Sequence, residues 1–382
     1  MPSSRPASSA SLRTAGALAI LGLLASPALV ACGSDGATTG AQTIKVSAGD
    51  TSCDLSISTI AAGVTRFEAK NVGGKVTEVY VYRPDESIVA EKENIGPGTS
   101  ATFTADLSAG EYQVACKPGQ KGDGIRKALK VTGGAAPATT SAAAVAAVKE
   151  YRTWVADQVD ASKPQVVAFV AAVKAGDVAK AKSLYAPSRV GWESVEPVAE
   201  AFGDLDPEMD AREGDVPPGA EWTGWHRIEK ALWAQKTTKG MGTYADRLLK
   251  EYNELIERIP AAPITVSSIG NGAKELLDEV ATGKITGEEE QYSRTDLVDF
   301  QANVNGARKA FEVLTPLVKA KDPALVTQLD EEFAAVDAAL AKHGSGTDFT
   351  PYNKLTKAEI AALAASVDAL AEPLSRLTSA AV

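Results

Sequence analysis

Glu193 and Glu196 stand three residues apart in GWESVEP, and His226 and Glu229 repeat that spacing in GWHRIEKALW. On a helix, positions three apart share a face with their side chains a few ångströms from each other, so each pair can close on one cation. Several carboxylates with one imidazole make a hard, oxygen-rich donor set that suits Fe3+ or Fe2+ and can also take Cu2+ or Zn2+. The same spacing serves equally as a solvated helix face on an acidic protein. His226 and His343 are the only histidines, which limits the remaining chemistry. A zinc peptidase of the His-Glu-x-x-His type needs a glutamate and a histidine where Arg227 and Lys230 stand. A Gly-x-Ser-x-Gly elbow is absent too. The expectation is a binding protein and not an enzyme, with metal-dependent proteolysis as the rival. Trp192, Trp222, Trp225 and Trp233 flank the candidate ligands. They would stack on a glycan in a carbohydrate-binding or structural surface lipoprotein, or wall a metal site from water.

The elements that must position these residues are helices. Ala/Leu/Val-rich segments with polar faces run over about 144–161, 164–174, 177–202, 222–236, 241–258, 267–282, 293–320, 323–342 and 356–378. Pro164 and Pro323 sit where helices start, and Gly176, Gly203 and Gly344 where they stop. Pro187 and Pro197 are expected to kink or split the third segment beside Glu193 and Glu196. Short connections favour bundled helices over the whole of 144–382. Ahead of them, residues 43–131 alternate β-branched and aromatic with polar residues in short runs such as TIKVSA, EVYVYRP and GEYQVAC, which predicts a β-sandwich of roughly six to eight strands. TGGAAPATTSAAA breaks the pattern and makes 132–143 a linker.

The N-terminus sets the compartment. Arg5 and Arg13 precede a short apolar run that ends in Leu29-Val30-Ala31-Cys32, which resembles a lipoprotein signal cleaved before a lipid-bearing Cys32. Residues 1–31 are therefore read as removed, 32–42 as a flexible tether, and the protein as extracytoplasmic, attached to the outer face of the cell membrane through lipid on Cys32. The loss of two arginines takes the net charge from −10 to −12. Basic and acidic residues balance between Thr43 and Val131 at eleven each, so the deficit lies on the helical part. Such a field gathers cations and repels polyanions, which makes nucleic acid a poor partner, or it serves simply to keep the protein soluble. Cys53 and Cys116 remain, either as a disulfide or as metal thiolates with a carboxylate such as Glu78. GEYQVACKPG resembles the strand that carries the cysteine ligand of cupredoxins, yet residues 43–131 hold neither histidine nor methionine, so a blue-copper centre is excluded.

Longer strings carry a more specific likeness. EKENIGPG with GEYQVAC, then YAPSRVGWESVEPVAEAFGDLDPEMDARE, GWHRIEKALW and KITGEEEQYSRTDLVDFQANVNGARKAFE, resemble the EfeO family of extracytoplasmic iron-uptake components over nearly all of 43–382. Its helical domain is similar to the imelysin-like peptidase family. The resemblance implies a cupredoxin-like β-sandwich followed by an all-α domain of two four-helix bundles. It also implies a high-affinity iron-binding protein that works with a membrane iron permease and a haem-type peroxidase; a monomer is expected. Carried over residue by residue, the metal site falls on Glu193, Glu196, Asp210, His226 and Glu229, with a later acid in GEEEQYS, for which Glu289 is favoured and Glu288 and Glu290 stay open as alternatives. Cys53, Glu78 and Cys116 match positions proposed for a second metal, but the acid expected two residues after Glu78 is Tyr80 here.

Overall fold

The computed structural model describes residues 42–133, 141–216 and 219–382. The signal segment, Cys32, the tether up to residue 41 and most of the linker lie outside the described residues.

Period-two alternation between Gln42 and Thr132 produces nine strands: β1 (Gln42–Ala48), β2 (Cys53–Leu55), β3 (Thr59–Ala61), β4 (Gly63–Asn71), β5 (Thr77–Tyr82), β6 (Ile88–Ile95), β7 (Ser100–Leu107), β8 (Gly110–Cys116) and β9 (Ile125–Thr132). The count exceeds the expected six to eight because β2 and β3 are three residues long, too short to show alternation. The strands form two sheets, ordered β2-β1-β4-β7 and β3-β9-β8-β5-β6. Inward-facing Ile44, Val46, Phe67, Val79, Val81, Phe103, Val114 and Leu129 fill the space between them. Phe67 and Phe103 face each other in register and stack at 4.9 Å. Strand β5 is buried on both faces. Val79 and Val81 point into the sandwich, while Glu78, Tyr80 and Tyr82 point outward, as alternation requires.

The helical domain comprises α1 (Ala142–Ala175), α2 (Val178–Val195), α3 (Leu205–Asp210), α4 (Gly224–Trp233), α5 (Gly242–Arg258), α6 (Val266–Thr282), α7 (Asp296–Lys319), α8 (Pro323–Leu340), α9 (Lys357–Leu374) and α10 (Leu377–Ala381). Helices α1, α2, α5 and α7 pack as one group of four, and α6, α7, α8 and α9 as a second that shares α7. Helix α7 can serve both groups because it buries residues on nearly every side, from Leu297 and Phe300 to Ala310, Val313 and Val318.

Two expectations about proline are corrected. Pro164 does not start a helix, because α1 runs unbroken from Ala142 to Ala175. Pro164 is on the exposed side, and the buried stripe Tyr151, Val155, Val159, Ser162, Val166, Phe169 and Val173 continues past it, so packing holds the helix where one hydrogen bond is lost. Pro187 likewise leaves α2 continuous. Pro197 does interrupt: the α-helix gives way to a 3-10 segment, Glu196–Phe202, that leaves helical geometry at Val198. The break falls between Glu193 and Glu196, which therefore sit on different elements.

Candidate metal centre

Each side chain of the centre is delivered by a different stretch of chain. Arg189 and Glu193 come from α2, Glu196 from the 3-10 segment after it, and Asp210 from the end of α3. His226 and Glu229 come from α4, and Glu289 and Glu290 from the turn that follows α6. Asp299 and Asn303 come from α7. Gly224 explains how α4 reaches α3: its φ is +78°, and a Cβ there would lie 2.0 Å from the Met209 carbonyl oxygen. Only glycine permits that approach, which sets His226 against Asp210. The turn bearing Glu289 is tied down by the Tyr352 hydroxyl on the Ile285 carbonyl and by Arg294, which donates to the Gly287 carbonyl at 3.0 Å.

Around His226 the geometry is specific. Nδ1 lies 3.3 Å from Glu229 Oε2, and Glu229 Oε1 accepts from the backbone N–H groups of Tyr292 and Ser293 at 2.7 and 2.6 Å. On the other edge of the ring, Nε2 faces Asp210 at 3.5 Å and Glu289 at 3.7 Å. Buried Nε2 forms a well-directed hydrogen bond with neither. Asp210, His226 and Glu289 offer donor atoms within 4.8 Å of one another, as do His226, Glu229 and Glu290. Trp192 fixes Asp210 by donating Nε1 to its Oδ2 at 2.8 Å.

Two buried cations share the acids. Arg189, fully buried, pairs with Glu193 and Asp210 in short contacts and reaches Glu290 at 2.9 Å and Glu289 and Asp299 at 3.4 Å. Lys284 Nζ lies 2.8 Å from Glu196, 3.3 Å from Glu193 and 3.7 Å from Glu289. Asn303 Nδ2 donates to Glu193 at 2.9 Å and to Glu196 at 2.7 Å. Seven carboxylates thus surround Arg189, Lys284 and His226 in a site largely closed to water.

The charges respond accordingly. Burial raises the Asp210 carboxyl, but Arg189 and His226 outweigh it and hold it below the usual range. Against the same burial, Lys284 and His226 hold Glu289 well below, and His226 with two backbone N–H groups lowers Glu229. Glu196, Glu290 and Asp299 go the other way, pushed well up by burial that their cations do not offset. Burial and Arg189 press His226 down, yet Glu229, Glu289 and Asp210 together carry its pKa up to about 9.

All six residues expected as ligands converge here. Of the three consecutive acids, Glu289 faces His226, Glu290 joins from behind through Arg189 and Tyr185, and Glu288 points outward toward Arg212. Sequence reasoning missed Arg189, Lys284 and Asp299, and named Glu290 only as an alternative to Glu289, whereas both acids take part. Arg189 carried a signal, since it precedes Glu193 by four on one helix face. Lys284 carried none, because only the fold brings it to α2. The four tryptophans are structural: Trp192 and Trp225 are fully buried, Trp222 donates to the Ala211 carbonyl, and Trp233 packs edge-on to Tyr185.

Of the two readings left open for Cys53 and Cys116, a disulfide or metal thiolates with Glu78, the structure has the disulfide, with the two Cα atoms 5.6 Å apart. Cys116 pairs with Val79 and shares its inward face, so Glu78, one residue earlier, projects to the opposite side of the sheet and hydrogen-bonds Tyr80 at 3.2 Å. No helix among the described residues is long and apolar enough to cross a membrane.

Residues 147–377 match the imelysin family, whose name is grouped with peptidases, and residues 20–125 match the cupredoxin-like domain family. The iron uptake system component EfeO of Yersinia pestis is 40% identical over 340 residues, covering 88% of this chain and 90% of that protein. Its namesake in Escherichia coli O6:H1 is 41% identical over 339 residues, covering 87% of this chain and 90% of that one.

Proposed function

This chain belongs to the imelysin family and to the EfeO-type iron-uptake components, and from that premise we propose that it captures iron at the His226 centre and hands it to a membrane permease. The observation that carries the reading is the orphaned Nε2 of His226, buried between Asp210 and Glu289. A ring whose other nitrogen is held by a carboxylate, with a free nitrogen aimed at two more carboxylates, is the arrangement that metal-binding histidines use. In this reading Asp210, His226 and Glu289 are the inner ligands and Glu229 fixes the ring. Glu193 and Glu196 supply the next oxygens once Lys284 swings aside on its flexible stem. Arg189, planar and locked by five carboxylates, stays in place and holds the acids together without a cation. An acid excess over buried cations favours an ion of charge two or three, and Fe3+ or Fe2+ matches the hard oxygen donors, with Cu2+ or Zn2+ as competitors.

The protein works outside the cytoplasm, anchored through Cys32, as a monomeric carrier beside a permease and a haem-type peroxidase. It needs no turnover of its own. Lys230 pairs with Glu213, and Arg227 lies over the rings of Trp222 and Tyr244. Neither supplies the second imidazole or general base that zinc proteolysis requires. His226→Ala with Glu289→Ala is expected to lower iron affinity by at least about a hundredfold, measured by competition with a chromophoric chelator. Unchanged affinity in a variant with wild-type circular dichroism would remove this centre from iron capture.

A further inference from the structure

The centre opens, through Glu196, Asp210 and Glu289, into a cleft of about 660 Å3 between β6 and the helical domain. Its sandwich wall carries Glu91 and Glu93, and its helical wall Glu200, Asp206, Glu275 and Glu279. Two cations also line it, and both are committed elsewhere. Lys92 pairs with Glu275 at 2.8 Å and Asp278 at 3.0 Å, while Arg212 pairs with Asp215 at 2.7 Å and Glu289 at 3.2 Å. Among the described residues no ion pair forms to Glu91, Glu200 or Glu279.

Glu91 marks the cleft as more than an acidic surface. It is 9% exposed and stands opposite Tyr80 on the outward face of the sheet, toward the helical domain. Its Oε2 is buried and receives no hydrogen bond. A carboxylate oxygen withdrawn from water without a donor is costly, so Glu91 either keeps its proton or takes a cation or that cation's water as its partner. Glu93, two residues on, is held by the Tyr80 hydroxyl at 2.9 Å.

We propose that this cleft takes up a hydrated multivalent metal cation, held through its water shell by Glu91, Glu93, Glu200 and Glu279, at the mouth of the His226 centre. The shell is retained because the close donor trios among the described residues all include His226, and none contains Glu91, Glu93, Glu200 or Glu279. A cleft of 660 Å3 accommodates an ion with its waters, each of which occupies about 30 Å3. Burial and neighbouring carboxylates lift Glu91 well above the usual range and Glu200 to about 7, as expected of acids without a fixed counter-charge. That the natural ion is iron rests on the reading of the His226 centre; the existence of the site does not.

Terbium(III) chloride tests the proposal, because the ion prefers oxygen donors and its luminescence is excited through a nearby tyrosine, here Tyr80. The full chain carrying His226→Ala and Glu289→Ala is expected to keep tyrosine-excited terbium binding, with a decay in H2O and D2O that reports most of the water shell intact. Adding Glu91→Gln and Glu200→Gln, near-isosteric changes, should weaken that binding by about tenfold or more. Absence of terbium binding in the first variant, a stripped water shell, or binding unmoved by the second pair would overturn the proposal. If circular dichroism shows the fourfold variant unfolded, Glu91→Gln alone in the first background gives the same reading. Failure of the His226 centre would appear separately, as wild-type iron affinity in the first variant.

Discussion

His226 holds its charge although burial and Arg189 oppose it, because three carboxylates stand against its ring. Its pKa of about 9 means that the ring is an imidazolium at neutral pH, so an incoming ion must displace a proton from Nε2. Asp210 and Glu289 are held low and lose no proton over this range. Iron affinity should therefore fall by about tenfold for each pH unit below about 9 as one proton competes, and more steeply where Glu196 also protonates. Competition titrations between about pH 8.5 and about pH 6 check this, and a flat profile would mean that the ring does not ligate. At this scale the sequence was most legible where local spacing did the work. The His226–Glu229 pair was readable because three residues of helix place both ends of the interaction. Lys284 was not, since its partners Glu193 and Glu196 lie some ninety positions away in the chain and meet it only through packing.

The junction between α2 and its 3-10 continuation decides how Glu193 and Glu196 face Lys284. Two glycines grip that junction. A Cβ on Gly272 of α6 would lie 1.6 Å from the Pro197 carbonyl oxygen, and one on Gly306 of α7 would lie 2.2 Å from that of Ser194. Both neighbours are backbone, so neither can turn away as a side chain would. Gly272→Ala gains about 1 kcal/mol in helix propensity but must push α6 off the segment that presents Glu196. The net cost should be about 1–3 kcal/mol in a urea unfolding curve, with weaker iron binding. Stability and affinity both at wild-type values would show that the junction has room to move. Helix boundaries were legible to within a few residues wherever a cap existed, as at Asp322 before Pro323, whose side chain accepts from Leu325 N–H. Prolines were read less well. Their effect depends on which face they occupy, and the sequence around Pro164 says nothing of the buried stripe that carries α1 past it.

Taken whole, the described residues make one compact unit from two domains of unlike charge, a balanced sandwich and an acidic helical part. Fold class was legible because period-two and helical patterns do not mix along the chain. The sandwich's contact with α6 was not, since a strand covered on its outer face differs from an exposed one only through what covers it. Strand parity also settles what composition left open, for Cys116 faces inward with Val79 while Glu78 cannot. What joins the domains is polar: Lys92 of β6 bridges Glu275 and Asp278 on α6, and Asn271 donates to the Thr104 carbonyl at 2.5 Å. The Lys92 side chain is 15% exposed and its two partners 19% and 29%, so the bridge is shielded enough to matter. Charge-assisted hydrogen bonds of this kind contribute about 1.5–3 kcal/mol. Lys92→Ala also leaves Glu275 and Asp278 near Glu279 with one cation fewer, adding repulsion across the cleft. The domains should then separate, seen as a larger radius of gyration in solution scattering and as two calorimetric transitions in place of one. An unchanged scattering profile together with a single transition would show that the packing of α6 on β6 and β7, and not this bridge, holds the molecule together.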